Sequence, residues 1–353
     1  MRRQVITYGV LLVLALGGAY RVWTSPGEVD PGENVTVLAG DADELERVRY
    51  HSDKVDLVIE MRKDDLGRYG WVRAESTAPA EAEAEAEAEG ETGGQPDPAN
   101  PHAPPKDEGG VAEFKAGKSG AAVLDGLMPF RAKRQLEGIT DDKLTELGLG
   151  EGEAEATLEI VRTGREPASY EIGGNVYGGA NVYVREVATG KVFVVDAKVI
   201  RPLQSGKQSL PDREIVGVES KLIAALAVSG GEATAEFEQN NPDDAEAVYW
   251  ANAGSQTRNE TAAAWIDKAL RMRASGYVQP EDAPGQLEDV FSFRVSTTDK
   301  KTITVAVKRG YDDNGEDLWY AQSEHTRGLV KLQRALAAEV AADVAAVLDS
   351  GAG

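Results

Sequence analysis

The residues best suited to acid–base or metal chemistry are the three histidines, His51, His102 and His325, and none stands at metal-ligand spacing from another. Cysteine is absent, so no thiol nucleophile and no thiolate metal site exist. A serine–histidine–acid site depends on spatial rather than sequential neighbours and stays open, although no nucleophile elbow is present. Gly117-Lys118-Ser119 has the ending of a phosphate-binding loop. That loop needs a glycine five residues before Gly117, where Ala112 stands. Gly173-Gly174 and Gly178-Gly179 miss the dinucleotide pattern and read as turn glycines. Asp312-Asp313-Asn314-Gly315-Glu316-Asp317 has calcium-loving residue types, but its glycine is misplaced for a helical calcium loop, and a hairpin turn is the reading. Asn34-Val35-Thr36 and Asn259-Glu260-Thr261 match the glycosylation sequon, which is common by chance. Paired carboxylates occur throughout and single out nothing. The pattern therefore assigns no catalytic residue, no metal and no cofactor. Trp71, Trp250 and Trp319 sit in strand-like segments. Core packing is their ordinary role; the binding alternative is a surface aromatic patch for a partner.

The elements that would carry these residues are mostly strands. Leu45 to Tyr50 opens the globular material. Val55, Leu57, Ile59 and Met61 alternate with Asp56, Val58 and Glu60, the period of a strand with one buried face. A turn at Asp64 to Gly67 leads to Tyr69, Trp71 and Val72. Ser119 to Arg134 is predicted as a helix with Ala122, Val123, Leu124, Leu127 and Phe130 inward, kinked or shortened by Pro129. Thr140 is the expected N-cap of a short helix that presents Leu144 and Leu147 and stops at Gly148. Strands follow at 156–161, 168–172, 181–185 and 191–195, the last two joined through Thr189-Gly190, and then a short helix at 196–203. From Asp212 the order of elements repeats. A hairpin at 233–238 and 247–250 ends on Trp250, a helix covers 261–270, strands cover 290–295, 302–307 and 317–321, and Asn314-Gly315 turns the last pair. Leu329, Leu332, Leu336, Val340, Val344 and Val347, spaced by three and four, predict one long closing amphipathic helix. Strand runs with helices on one face give an α+β class of two tandem similar units. The first unit spans 41–77 and 111–211, and the second 212–349. Two unrelated domains sharing an order by chance is the competing explanation. Residues 78–110 interrupt the first unit with a Glu/Ala/Pro-rich insert. Its alternating Glu81 to Glu89 spreads charge around any helix, so it is read as a disordered, solvated spacer.

Composition bounds the partners. The net charge of −22 over 353 residues argues against nucleic acid and against electrostatic docking on an anionic membrane. The amino end differs from the rest. Arg2 and Arg3 precede the apolar run Val5 to Tyr20, followed by Arg21 and Trp23. The run spans roughly 24 Å as a helix, short of a bilayer core of about 30 Å. Snorkelling of Arg21 and interfacial seating of Trp23 extend it. Residues 1–25 are thus a membrane anchor or a cleaved signal, with 26–40 as a tether. The paired arginines set the amino terminus inside and the main body outside.

Glu146-Leu147-Gly148-Leu149, Tyr170-Glu171-Ile172-Gly173, Val182-Tyr183-Val184, Val192-Phe193-Val194-Val195-Asp196 and Leu210-Pro211-Asp212-Arg213-Glu214 resemble one bacterial family, the domain of unknown function DUF4340. The resemblance covers most of Leu45 to Val216 outside the insert and weakens beyond it. It implies a single-anchor envelope protein encoded beside an ABC-type transporter associated with gliding motility, and brings no catalytic residues. The expectation is a non-enzymatic accessory or scaffold protein held in the bacterial inner membrane, main domain in the periplasm, contacting a transporter permease or associated envelope proteins. A periplasmic solute- or polymer-binding module is the alternative, favoured by an aromatic-lined cleft between the halves. A hydrolase would need a serine or acidic constellation around His51 or His325.

Overall fold

Buried Val48 and Tyr50 alternate with exposed Arg47, Arg49 and His51, and buried Leu57 and Ile59 alternate with Asp56, Val58 and Glu60. Such strands bury one face and leave the other in water, which is the pattern of an antiparallel sheet covered on one side. The computed structural model describes residues 34–76, 110–244, 246–312 and 314–351. The anchor or signal at 1–25 and nearly all of the insert at 78–110 lie outside the described residues.

The first part of the chain forms β1 (Val35–Leu38), β2 (Leu45–Ser52), β3 (Val55–Asp64), β4 (Gly67–Ser76), β5 (Val111–Lys115), α1 (Lys118–Leu127), β6 (Phe130–Ala132), β7 (Arg134–Leu136), α2 (Asp141–Glu146), β8 (Ala156–Arg162), β9 (Ala168–Asn175), β10 (Asn181–Glu186), β11 (Val192–Asp196) and α3 (Ala197–Ser205). Nine of these strands make one sheet in the order β5-β4-β3-β2-β8-β9-β10-β11-β7, while β1 pairs with β6. The second part forms β12 (Ile223–Gly230), β13 (Ala233–Asn240), β14 (Tyr249–Asn252), α4 (Glu260–Arg271), β15 (Ala274–Tyr277), β16 (Glu288–Thr297), β17 (Thr302–Tyr311), β18 (Asp317–Ser323), β19 (Val330–Leu332), α5 (Arg334–Ala342) and α6 (Val344–Gly351). Its eight strands run β14-β13-β12-β16-β17-β18-β19-β15. The class is mixed α+β, and the strand pairs within both sheets are antiparallel. Among the described residues no helix is long and apolar enough to cross a membrane.

Each sheet has its own core. Val48, Leu57, Ile59, Leu158, Tyr170 and Ile200 belong to the first, and Phe237, Trp265, Phe293, Val305 and Val340 to the second. Trp265 is 2% exposed, meets Phe291 and Phe293 edge-on, and donates its indole N–H to the Val340 carbonyl at 3.0 Å. Tyr277 of β15 packs against both cores.

Several sequence expectations need correction. The helix predicted over 119–134 ends at Leu127. Pro129 cannot supply the N–H that a further turn needs, and Phe130 starts a strand instead. Ala122 faces solvent. The long closing helix is two helices that meet at Asp343, and Leu332 belongs to β19. The tether assigned to 26–40 already contains β1, whose Leu38 is buried in the first core. The central strand β12 is not legible from the period, because a register shift between Ile223 and Ala225 breaks the spacing of buried Ile223, Leu226 and Val228 and the alanines between them carry little preference.

Candidate functional site

Two constellations emerge, one buried between the sheets and one open on the first sheet. The buried one begins at β5, the edge strand of the first sheet. Lys115, its last residue, is 8% exposed. Chain 210–214 runs alongside: Gly117 N–H donates to the Leu210 carbonyl at 2.8 Å and Asp212 N–H to the Lys115 carbonyl at 2.9 Å. The Lys115 ammonium therefore meets the Asp212 carboxylate, and His325 Nε2 comes within 2.9 Å of the same oxygen and 3.1 Å of Lys115 Nζ. Burial opposes ionisation of Asp212. The hydrogen bond from His325 and the charge of Lys115 outweigh it and hold the carboxyl well below the usual carboxylate range. The His325 ring lies on Gly217, where a Cβ would sit 1.9 Å from it, and Gly217 has φ +66°. Only glycine fits that approach.

Neighbouring contacts complete the junction. Arg327, two residues after His325, donates from Nε and Nη2 to Asp64 at 2.6 and 3.0 Å and covers the Tyr69 ring at 3.8 Å. The Arg327 hydrogen bond holds the Asp64 carboxyl below its usual range. The Tyr277 ring sits 6.4 Å from Trp71 and 6.2 Å from Phe114, and burial pushes its phenol upward. Gln279 accepts from Glu113 N–H at 3.0 Å and donates to its carbonyl at 3.2 Å, so a side chain caps the sheet edge.

This geometry explains Gly117-Lys118-Ser119 without phosphate. A Cβ on Gly117 would lie 2.8 Å from the Asp212 backbone, and Lys118 pairs with Glu214 at 2.7 Å. Asp312 likewise serves its turn, accepting from the N–H groups of Asn314 and Glu316 at 2.9 and 2.8 Å. Asn259 caps α4, accepting from Ala262 N–H at 2.9 Å. His51 is exposed on β2, 3.6 Å from Asp56, and His102 lies outside the described residues. Ser323 donates to the Ile215 carbonyl at 2.7 Å.

The open constellation is a groove of about 450 Å³ on the water-facing side of the first sheet, lined by Arg47, Arg49, Val58, Glu60, Arg62, Trp71, Arg73, Glu113 and Glu159. Strand register arranges it. One row across the sheet runs Glu159, Arg49, Val58, Arg73, Glu113, and the next runs Val161, Arg47, Glu60, Trp71. Arg49 grips Asp56 through two nitrogens at 3.3 and 2.8 Å, and this pairing lowers the Asp56 carboxyl. Arg62 bonds Glu60 at 2.9 Å and lies 5.1 Å over the Trp71 ring. Among the described residues the Arg47 side chain has only a long contact, 3.5 Å, to Glu159. Among the described residues the Arg73 side chain has no hydrogen-bond or ion-pair partner.

Of the three tryptophans singled out from sequence, only Trp71 reaches a surface groove. Trp250 and Trp319 are 8% and 5% exposed in the second core. Their strands, β14 and β18, lie five strand steps apart, roughly 24 Å. The structure does not bring the three together. Sequence reasoning missed Lys115, Asp212 and the groove arginines. The alternation of Arg47 and Arg49 with Val48 and Tyr50 was the available signal for the groove.

No curated protein and no solved structure matches the chain. The sequence model of a domain of unknown function, DUF4340, matches residues 121–290. The match begins in α1 rather than at Leu45 and runs through Asp212 into β16, beyond the extent read from the motifs. Across 121–290 the chain is similar to the DUF4340 family.

Proposed function

We propose that this protein is a non-enzymatic, membrane-tethered periplasmic accessory or scaffold protein of an ABC-type envelope transport system, associated with gliding motility. The observation that carries the reading is the open face of the first sheet. It presents four arginines and a tryptophan to solvent on a chain of net charge −22, while the opposite face is buried in the core. A sheet face of that make-up suits a protein partner, since Arg and Trp are the residues that dominate interface energetics. The ionic and aromatic contacts between the sheets support a scaffold that presents this face at a fixed angle. The anchor reading rests on Arg2, Arg3 and the run Val5 to Tyr20.

We further infer that the two sheets descend from one duplicated unit. With β5 set aside, each sheet is a three-strand meander, then a four-strand meander, then a far-edge strand that follows a helix in sequence, directly for β15 and after β6 for β7. An experimental structure with β15 elsewhere than beside β19 would remove this inference.

The test of location uses the absence of cysteine. Tyr177→Cys places a single thiol at a fully exposed turn. A membrane-impermeant maleimide should label it in intact spheroplasts, and the protein should co-purify with the co-encoded permease in detergent. Labelling only after lysis, or recovery always without the permease, contradicts the proposal.

A further inference from the structure

The groove has a chemistry specific enough to name its occupant. We infer that it binds an extended acidic peptide segment of the partner, with a carboxylate on Arg73 and an apolar side chain over Val58 against Trp71. The choice of a protein segment rests on the accessory-protein reading above.

Three observations carry the assignment. First, Arg73 is exposed, stands between Val58 and Glu113 in its row, and its side chain has no ion-pair or hydrogen-bond partner among the described residues. Arg49 lies two strands away in the same row, roughly 10 Å, with Val58 between them. A guanidinium left free beside an apolar floor accepts a planar carboxylate through paired N–H donors. Second, the lining is mixed. Glu60, Glu113 and Glu159 stand among the four arginines, and Glu113 flanks Arg73 directly in register. A polyanion such as a phosphate-rich or uronate-rich polymer would meet those carboxylates at close range. A polypeptide suits them, because its backbone N–H groups donate to carboxylates while its acidic side chains meet guanidinium groups. Third, the aromatic wall is already set. Trp71 donates its indole N–H to Glu113 at 3.2 Å and carries the Arg62 guanidinium on its face, which fixes the ring. The volume lies in the range of ligand sites rather than of broad flat interfaces.

The test uses the full-length chain in detergent and the peptide acetyl-GEFEG-amide, followed by calorimetry and by tryptophan fluorescence. Binding is expected to saturate, with the fluorescence change lost in Trp71→Phe. Arg73→Gln should weaken binding about tenfold or more, the scale of a lost charge-assisted pair, and Arg73→Lys should restore part of it. Lys191→Gln, remote from the groove, should leave binding unchanged. The amide peptide acetyl-GQFQG-amide should not bind. Equal binding of the amide peptide, stronger binding of polygalacturonate or inorganic phosphate, or no binding at millimolar peptide overturns the inference. Binding seen only after Glu81, Glu83, Glu85, Glu87 and Glu89 are changed to Gln also overturns it, because the groove would then be filled by the chain's own segment. Peptide failure with the permease still co-purifying removes the groove assignment alone. Loss of the permease with peptide binding intact removes the transporter reading alone.

Discussion

Replacing Asp212 by Asn keeps its shape and removes the one negative charge that Lys115 and His325 share. The three side chains are 11%, 10% and 15% exposed, so water screens them little. Removing one partner of a buried pair costs about 3–5 kcal/mol, because a charge is left without compensation. The residual exposure places the cost near the lower end, about 3 kcal/mol, a shift of more than a hundredfold in the folding equilibrium. The two sheets have separate cores, so the loss should fall first on their coupling. Urea unfolding of Asp212→Asn should show an earlier first transition and a wider gap between transitions. Hydrogen exchange should quicken at the Asp212 and Gly117 amides, which donate to Lys115 and Leu210 across the junction. Lys115→Met with Asp212→Leu should recover much of the stability, since an apolar pair of similar size replaces the ionic one. An Asp212→Asn chain with the parent's midpoint and protection would refute the assignment of the cluster as the tie between the sheets.

Further outcomes follow from other contacts. Asp212 has a folded pKa below its unfolded value, so its contribution is full above the ordinary carboxylate pKa of about 3.9 and is lost as pH falls through the folded one. Stability should decline as pH falls below about 3.9, and the decline there should be shallower in Asp212→Asn. Gly217→Ala should destabilise by more than 1 kcal/mol in denaturant titration, since its Cβ would overlap His325 at a φ of +66°. Trp265→Ala should cost about 3–5 kcal/mol in the second core, and a calorimetric transition of the first core should move little. Arg73→Gln should leave the melting temperature within the range of ordinary surface changes, about 0.5 kcal/mol, as expected of a residue kept for binding.

The sequence disclosed elements wherever a period stood clear of interference. Leu57 and Ile59, Phe291 to Val295 and Ile303 to Val307 alternate strictly, and all lie in the observed strands. The α4 helix shows its cap, Asn259, and its apolar side, Trp265, Ile266 and Ala269. Legibility failed where two periods compete. Leu332 fits the helical spacing of Leu336 and Val340, yet tertiary pairing with β15 draws it into a strand. Alanines in β12 carry little preference, so burial against β13 and β16 decides the strand. The junction was unreadable for a different reason. Lys115 and Asp212 lie 97 residues apart, and Asp212 and His325 lie 113 apart, so no spacing rule links them. Asp212 did stand in the motif Leu210-Pro211-Asp212-Arg213-Glu214, where the backbone contacts to β5 now supply its physical meaning.

Photo-cross-linking in living cells reaches the central claim most directly. A photoreactive residue in place of Thr157, exposed on the same face as the groove, should cross-link to the proposed transporter permease or envelope partner, and one in place of Tyr311, exposed on the second sheet, should not. Arg73→Gln should weaken the Thr157 product. Equal cross-linking from both positions, or none from Thr157 in cells where the transporter is expressed, would contradict a docking role for the open face of the first sheet.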